Sequence, residues 1–310
     1  MRLVLAGLLT LALALPARAQ VPITLVVNFV AGGPTDLMAR LLAPELSAAL
    51  GTPVVVKNSV GAAGTIGVAE VARSRPDGTT LLLSPIGAMV IQPHFRTDLP
   101  YRPEDFAPIC QIADTPVVVM TAPNSGIRTL PELLDGARAA QGAFNFASTG
   151  PGSMPHITTV ALARAAGVEM THIPYRGNAE AVTSLLRGDV GVFADQPGTL
   201  RANDLQAVAV MAERRSPESP ETPTMRELGF DLVYSIWSGL FARAGTAPEF
   251  LGRVEAACQR ALQAPAVIEG YRRLATPIVF RGQRDFAGFW QDELAKFSGI
   301  LRAAGIRAGD

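Results

Sequence analysis

The sequence predicts an α/β protein of two doubly wound lobes joined by crossover strands. Three observations support this fold class. Apolar, β-branched runs alternate with helical patterns, which is typical of a sheet covered by helices. Each half of the chain contains a strand, a glycine-rich loop and a helix, in that order. Two extended segments, near 115–123 and 232–242, connect the halves.

The first half repeats the strand and helix pattern. The apolar run 23–30 predicts a strand, and leucines at helical spacing after Gly33 predict a helix that ends at Gly51. Strands are then expected at 53–56 and 79–84, with an alanine-rich helix between them. This order favours a parallel sheet in the first lobe.

The second half begins a new series. Thr129 and Glu132 form the pattern of a capping box, so a helix is expected from there to about residue 140. Further strands are predicted at 144–147, 170–175, 190–194, 206–211 and 233–241, and helices at 157–166, 179–187, 248–264 and 285–304. We therefore expect residues 20–122 plus 238–310 to form lobe 1 and residues 123–237 to form lobe 2.

Composition excludes several classes of protein. The 310 residues include 27 basic and 27 acidic side chains, so the formal net charge is zero. Hydrophobic residues make up 48% and charged residues 17%, which is too apolar for a disordered chain. Because no basic footprint exists, nucleic acid is not an expected partner.

The first nineteen residues have the pattern of a signal peptide. An apolar run over 3–15 follows Arg2, and Ala17-Arg18-Ala19 is a small-x-small cleavage signal. We expect export with cleavage near Ala19; a buried N-terminal helix is the alternative. Removing 1–19 takes away Arg2 and Arg18, and the remaining charge is 25 − 27 = −2.

Cys110 and Cys258 are the two cysteines of the chain. In an oxidising compartment a disulfide between them would persist. Two separately buried thiols are the alternative, and spacing alone leaves the choice open.

Two glycine-rich loops, at 30–36 and 148–153, each follow a strand and open a helix. At such a position, unpaired backbone N–H groups and the helix dipole favour an anion. Ligands of open α/β sheets bind at this edge. Neither loop has a Walker or GxGxxG pattern, so a nucleotide cofactor is not indicated.

The residues needed for catalysis or metal binding are sparse. His94, His156 and His172 are dispersed without ligand spacing, so no metal or other cofactor is expected. Ser153 lacks the G-x-S-x-G pattern of a hydrolase nucleophile. His156 either lines a ligand cleft or begins a helix with no further role.

Several motifs together resemble the substrate-binding proteins of tripartite tricarboxylate transporters, the Bug receptors. They are VVNFVAGGPTDLMARLLAPELSAALGTP, RPDGTTLLL, YRPEDFAPI, NFASTGPGSMPH, HIPYRGNAEAVTSLLRGDV and IWSGLFARAGTAP. The resemblance covers essentially all of the chain after residue 19. It implies a periplasmic receptor with a type II binding-protein fold, two lobes that close like a Venus flytrap, and no enzymatic activity.

The resemblance also implies a binding site in which backbone amides of the two glycine loops hold a carboxylate. The expected ligand-binding residues, His156 included as a candidate, are Phe29, Gly32, Gly33, Thr35, Asp36, Ser84, Gly87, Ser148, Thr149, Gly150, Gly152, Ser153, His156, Tyr175 and Asp195. For Tyr175 and Trp237, packing at the hinge is an equal alternative to ligand contact. Asn28 and Ser59-Val60 depart from the family pattern, so no particular ligand is transferred.

Three functions are weighed. The leading one is a monomeric receptor that captures a small organic carboxylate and delivers it to the permease subunits of a tripartite carrier. The second is a sensor of the same fold that presents its closed form to a sensor kinase. The third, an exported enzyme using Asp36, Ser153 or His156, is disfavoured because so few catalytic groups are present.

Overall fold

The computed structural model describes residues 21–215 and 219–304. The predicted signal peptide at 1–19 lies outside the described residues, and it stays a prediction.

Strands and helices alternate from the first described element onward. The elements of the first half are β1 (Ile23–Val27), α1 (Pro34–Leu50), β2 (Val54–Asn58), α2 (Thr65–Ala72), β3 (Thr80–Pro85), a π-helical turn (Gly87–Ile91), α3 (Gln92–Phe95), β4 (Phe106–Pro116) and β5 (Val118–Thr121).

The second half continues the alternation, and its last described elements are two helices, a short strand and a long helix. Its elements are α4 (Leu130–Ala139), β6 (Asn145–Ser148), α5 (Met154–Ala166), β7 (Thr171–Pro174), α6 (Asn178–Arg187), β8 (Val192–Asp195), α7 (Pro197–Ala202), β9 (Gln206–Val210), β10 (Ser235–Arg243), α8 (Pro248–Leu262), α9 (Pro265–Arg273), β11 (Ile278–Arg281) and α10 (Gln283–Ala304). The predicted capping box is confirmed: Thr129 and Glu132 cap α4 reciprocally.

The strands form two sheets. The first has the order β11-β4-β10-β3-β1-β2, and the second has the order β7-β6-β8-β5-β9. In the first sheet β1 pairs in parallel with β2 and β3, and in the second β6 pairs in parallel with β7 and β8. The two-sheet α/β architecture is as the sequence predicts.

Both sheets are mixed, whereas the strand and helix alternation predicted parallel sheets. Strand β10 runs antiparallel to β3 and β4, and β5 runs antiparallel to β8 and β9. The reason is the connection between sheets: a strand that arrives from the other sheet enters from the opposite end. The long strand β4 and the helix α9 were not among the elements predicted from the sequence.

The chain changes sheet at two adjacent places, and the two crossings are hydrogen-bonded to each other. Val117, the one residue between β4 and β5, donates its N–H to Tyr234 O at 3.0 Å and accepts from the N–H of Met211 at 2.8 Å. Tyr234 donates in turn to Met211 O at 2.9 Å. The lobe boundaries at 122/123 and 237/238 stay predictions; in the structure the strand pairing changes sheet at Val117 and again before β10.

A continuous apolar core extends along the crossing. Its buried residues come from both sheets, among them Val26, Val119 and Phe146. Trp237 on β10 lies within it, fully buried, and donates its indole N–H to Glu293 Oε2 at 3.1 Å. Phe286 packs edge-on against the same indole ring. Trp237 therefore packs the crossover, which agrees with the hinge alternative.

Cys110 on β4 and Cys258 on α8 form a disulfide. Both are fully buried in the apolar core that lies between the first sheet and the helices α1, α8 and α9. The bond closes a loop with a sequence separation of 148 residues. It fastens a helix of the C-terminal part of the chain to a strand of the N-terminal half.

Removing the disulfide should lower stability substantially. In the chain-entropy model, closing so long a loop contributes up to about 5 kcal/mol. We expect the double variant Cys110→Ala/Cys258→Ala to melt well below the wild type in differential scanning calorimetry. A reducing agent should lower the melting temperature of the wild type and leave that of the variant unchanged. Equal melting temperatures of variant and oxidised wild type would contradict this.

Candidate ligand-binding cleft

A cleft lies where the carboxyl ends of strands from both sheets meet. It holds about 580 Å³ of space, its open mouth included. Segments that follow β1, β3, β6 and β8 supply most of its lining: Phe29, Val30, Gly33, Pro34, Thr35, Pro85, Ile86, Gly87, Thr149, Ser153, Met154, Pro155, Asp195 and Gln196, joined by Ala63, Asn178 and Ile236. This is the edge at which ligands of open α/β sheets bind.

Seven of the expected site residues line this cleft: Phe29, Gly33, Thr35, Gly87, Thr149, Ser153 and Asp195. The other eight expected residues lie outside the lining: Gly32, Asp36, Ser84, Ser148, Gly150, Gly152, His156 and Tyr175. Most of them make hydrogen bonds that hold the loops which form the cleft.

Asp36 organises the first glycine loop from beneath. Its carboxylate is almost fully buried and accepts hydrogen bonds from the Gly32 N–H, from Arg40 Nε and from Asn58 Nδ2, each at 2.8 Å. Burial alone raises the pKa of Asp36, but these donors outweigh it and the pKa is lowered overall. The charge of Asp36 is thus balanced inside the loop.

Asn28, one of the departures from the family pattern, joins the ends of β1 and β3. Its Nδ2 donates to Ser84 Oγ at 3.0 Å and to Gly64 O at 3.2 Å. Ser84 is fully buried and donates to Pro85 O at 3.1 Å. Ser84 therefore acts below the cleft rather than in its lining.

The second glycine loop is held by Ser148 and two histidines. Ser148 Oγ accepts the Gly150 N–H at 3.0 Å and is hydrogen-bonded to His172 Nε2 at 2.6 Å. The Gly152 N–H donates to His156 Nδ1 at 3.1 Å. The imidazole rings of His156 and His172 stack with their centroids 4.1 Å apart. His156 therefore supports the loop from below, outside the cleft lining.

Position 152 requires a glycine for two reasons. Its φ is +71°, and a Cβ there would lie 2.5 Å from Gln92 Nε2 on α3. This close approach brings the two sides of the cleft together, and Gln92 Nε2 donates to Pro151 O at 2.9 Å. A hydrogen bond from the buried Gln92 side chain thus joins α3 directly to the second glycine loop.

Tyr175 faces away from the cleft. Its hydroxyl is hydrogen-bonded to Ser184 Oγ on α6, and it lines an outer groove with Ser184 and Asp189. Its backbone N–H donates to Ser148 O at 2.9 Å. Tyr175 thus supports the second glycine loop through its backbone.

The two helices that begin at the cleft lack side-chain caps. Gly33, which has no side chain, precedes α1, and Ser153, whose hydroxyl makes no capping hydrogen bond, precedes α5. The first intrahelical bonds are donated by Leu37 and Ile157, so the N–H groups of Thr35 and Met154 come before them. Ser153 Oγ is buried and has no hydrogen-bond partner among the described residues.

The cleft wall after β8 carries acceptors that sequence reasoning found only in part. Asp195 accepts hydrogen bonds from Asn178 Nδ2 and from Thr199 Oγ1, the latter at 2.6 Å, and burial raises its pKa to about 6. The neighbouring Gln196 lines the cleft too, and its buried Oε1 lacks a partner among the described residues. Neither Gln196 nor Asn178 was among the expected site residues; Gln196 follows β8 without a glycine-rich loop, and Asn178 begins α6 after Gly177.

Comparisons with known proteins identify the family of this chain. A profile of the "tripartite tricarboxylate transporter family receptor" matches residues 38–306. The chain is 36% identical to BugT of Bordetella pertussis over 300 residues, which is 94% of this chain and 91% of BugT. This chain belongs to that receptor family.

Solved structures of the family superpose on this receptor. The periplasmic binding protein BugD matches with a TM-score of 0.86 at 30% identity, over 92% of this chain and 98% of BugD. MatC from Rhodopseudomonas palustris, solved with bound malate, matches with a TM-score of 0.84 at 30% identity, over 90% of this chain and 98% of MatC. The chain is therefore a periplasmic solute-binding receptor and not an enzyme.

The described residues provide neither a metal-binding cluster nor a membrane-spanning helix. Within residues 21–215 and 219–304, no group of three or more His, Cys, Asp or Glu side chains could hold a metal ion. No helix in that same part of the chain is long and apolar enough to span a membrane. Of the three residues considered for an exported enzyme, Asp36, Ser153 and His156, only Ser153 lines the cleft.

His172 should make the receptor less stable in acid. Burial lowers its pKa from 6.5 to about 4, so between these values the unfolded chain binds a proton that the folded protein does not. The free energy of unfolding must then fall as the pH drops through this range. We expect His172→Gln to lose less melting temperature than the wild type between pH 7 and pH 4.5. Parallel melting curves across that range would contradict the assignment.

Proposed function

We propose that this receptor holds the carboxylate of a small organic acid between the starts of α1 and α5. The observation that carries the proposal is the pair of uncapped helix starts at one cleft, with the unpartnered hydroxyl of Ser153 beside them. Backbone N–H groups at a helix start and the helix dipole both favour an anion.

The two helices together supply about the charge that one carboxylate needs. Each helix start carries roughly half an elementary positive charge, so two that meet balance roughly one negative charge. Among the described residues that line the cleft, none is a lysine or an arginine. The ligand's charge is therefore balanced by dipoles and hydrogen bonds rather than by an ion pair.

The Ser153 hydroxyl adds a directed hydrogen bond. It is 5% exposed, it lines the cleft, and it has no partner in the described part of the protein. A buried hydroxyl without a partner costs free energy, which a ligand oxygen would recover. The MatC structure with bound malate supports a carboxylate as the ligand, since MatC shares this fold.

The family description supports a role in transport. We propose that the chain is exported with its signal peptide cleaved near Ala19, and that lobe 1 (20–122 plus 238–310) and lobe 2 (123–237) close around the acid. Gln92 on α3 donates a hydrogen bond to Pro151 O in the second glycine loop, and opening of the lobes would break this contact. The closed form would then deliver the acid to the permease subunits of a tripartite carrier, since the family is described as a transporter receptor.

Thermal unfolding against a panel of carboxylates, sugars and amines tests the proposal. An acid present at 100 times its dissociation constant should add about 2.7 kcal/mol to the free energy of unfolding. Ser153→Ala should weaken binding of the best acid about tenfold or more, while the unliganded melting temperature stays the same or rises, because Ser153 Oγ bonds to no described residue and its burial costs free energy.

Ser47→Ala is the matched control for Ser153→Ala. Ser47 Oγ donates to Ala43 O at 2.7 Å and accepts the Val54 N–H at 2.8 Å, away from the cleft. This variant should lose about 1 kcal/mol of stability and keep its affinity for the acid. The proposal fails if no carboxylate stabilises the receptor while sugars or amines do, or if both serine variants bind the acid equally well.

A further inference from the structure

From the acceptors on the β8 wall of the cleft, we infer that Gln196 and Asp195 select an acid that carries a hydrogen-bond donor, a hydroxyl or an ammonium group, close to its carboxylate. This inference rests on the proposed carboxylate site and adds a second half to it. The helix starts and Ser153 form a donor side; Gln196 Oε1 and the Asp195 carboxyl form an acceptor side.

The strongest observation in favour of this inference is the side chain of Gln196. Its side chain is 6% exposed, it lines the cleft, and its Oε1 has no hydrogen-bond partner among the described residues. Buried amide oxygens in folded proteins almost always accept a hydrogen bond. Gln196 Oε1 is therefore free to accept a hydrogen bond from a ligand. An ionised carboxylate has no hydrogen-bond donor, so this donor must come from another group of the ligand.

Asp195 makes this wall unsuitable for a second anion. It is 4% exposed, and Asn178, Thr199 and the Gln196 N–H are the donors that face it. No lysine or arginine of the described chain is among the groups that shift its titration. An ammonium or hydroxyl group is favoured beside such a carboxyl, whereas an ionised carboxylate is repelled.

The two sides lie close enough for one small molecule. Strands β6 and β8 are neighbours in the second sheet, so the loop with Ser153 and the turn with Gln196 end adjacent strands. Adjacent strands are about 5 Å apart. A donor one or two carbons from the carboxylate spans that distance.

Matched acids test the selection on the intact mature receptor. Succinate, malate and aspartate share a four-carbon dicarboxylate frame and differ in carrying no donor, a hydroxyl or an ammonium group. Isothermal titration calorimetry should give malate or aspartate at least about tenfold tighter binding than succinate.

Gln196→Met keeps the size of the side chain and removes the acceptor. In this variant the ratio of malate to succinate affinity should fall towards one, while succinate binds within about twofold of the wild type. Gln206→Met is the control, because Gln206 lies on β9, outside the cleft lining, and should leave the ratio unchanged. Circular dichroism checks that each variant is folded.

Three results would overturn the inference. One is succinate binding to the wild type as tightly as both malate and aspartate, which needs no variant. Another is an unchanged ratio in Gln196→Met. The third is equal weakening of malate and succinate in that variant. If carboxylates bind without regard to a donor, the inference fails alone; if no carboxylate binds at all, the proposed function fails and the inference with it.

Discussion

Two helix starts from different sheets must meet at one point, and the rest of the structure depends on this constraint. Helix α1 follows β1 of the first sheet, and α5 follows β6 of the second. The dipole effect acts only within about the first turn of a helix, so neither start can bind an anion from a distance. The paired crossings at Val117 and Tyr234 hold the sheets together, and Gln92 on α3 donates a hydrogen bond to Pro151 O in the second glycine loop.

Two buried aspartates near a proposed anion site have opposite roles. The carboxylate of Asp36 accepts three hydrogen bonds from nearby residues, and because these bonds favour the ionised form, its pKa is lowered. Asp36 therefore stays ionised and fixes the loop without repelling a ligand strongly. Burial raises the pKa of Asp195, whose partners are neutral groups. The proposed site thus has a donor side and an acceptor side, although the net charge of the whole chain is zero.

The sequence predicted those parts of the site that local rules determine. A strand, a glycine loop and a helix follow one another at both loops, and four of the residues expected there, Gly33, Thr35, Thr149 and Ser153, line the cleft. It also predicted the two-sheet architecture, because the alternation of apolar runs and helical patterns is a local signal. The direction of β5 and β10 was missed, since it depends on the end from which a strand enters its sheet.

Long-range contacts account for the rest. Ala63 and Gln196 reach the cleft from segments that carry no local binding signal. His156 was open between two roles, and its stacking on His172 decides that it lies below the loop. Tyr175 resembles a family residue, yet its hydroxyl is engaged by Ser184, nine residues further along the chain. Whether His156 and Tyr175 line the cleft depends on the direction in which each side chain points, and sequence spacing alone does not reveal that direction.

The most direct test of the account is a crystal structure of the receptor with the carboxylic acid that stabilises it most. The account predicts that the carboxylate oxygens accept hydrogen bonds from backbone N–H groups at the starts of α1 and α5 and from Ser153 Oγ. No arginine or lysine should lie within ion-pair distance of them. A carboxylate bound by a basic side chain, or an acid bound outside this cleft, would contradict the central claim.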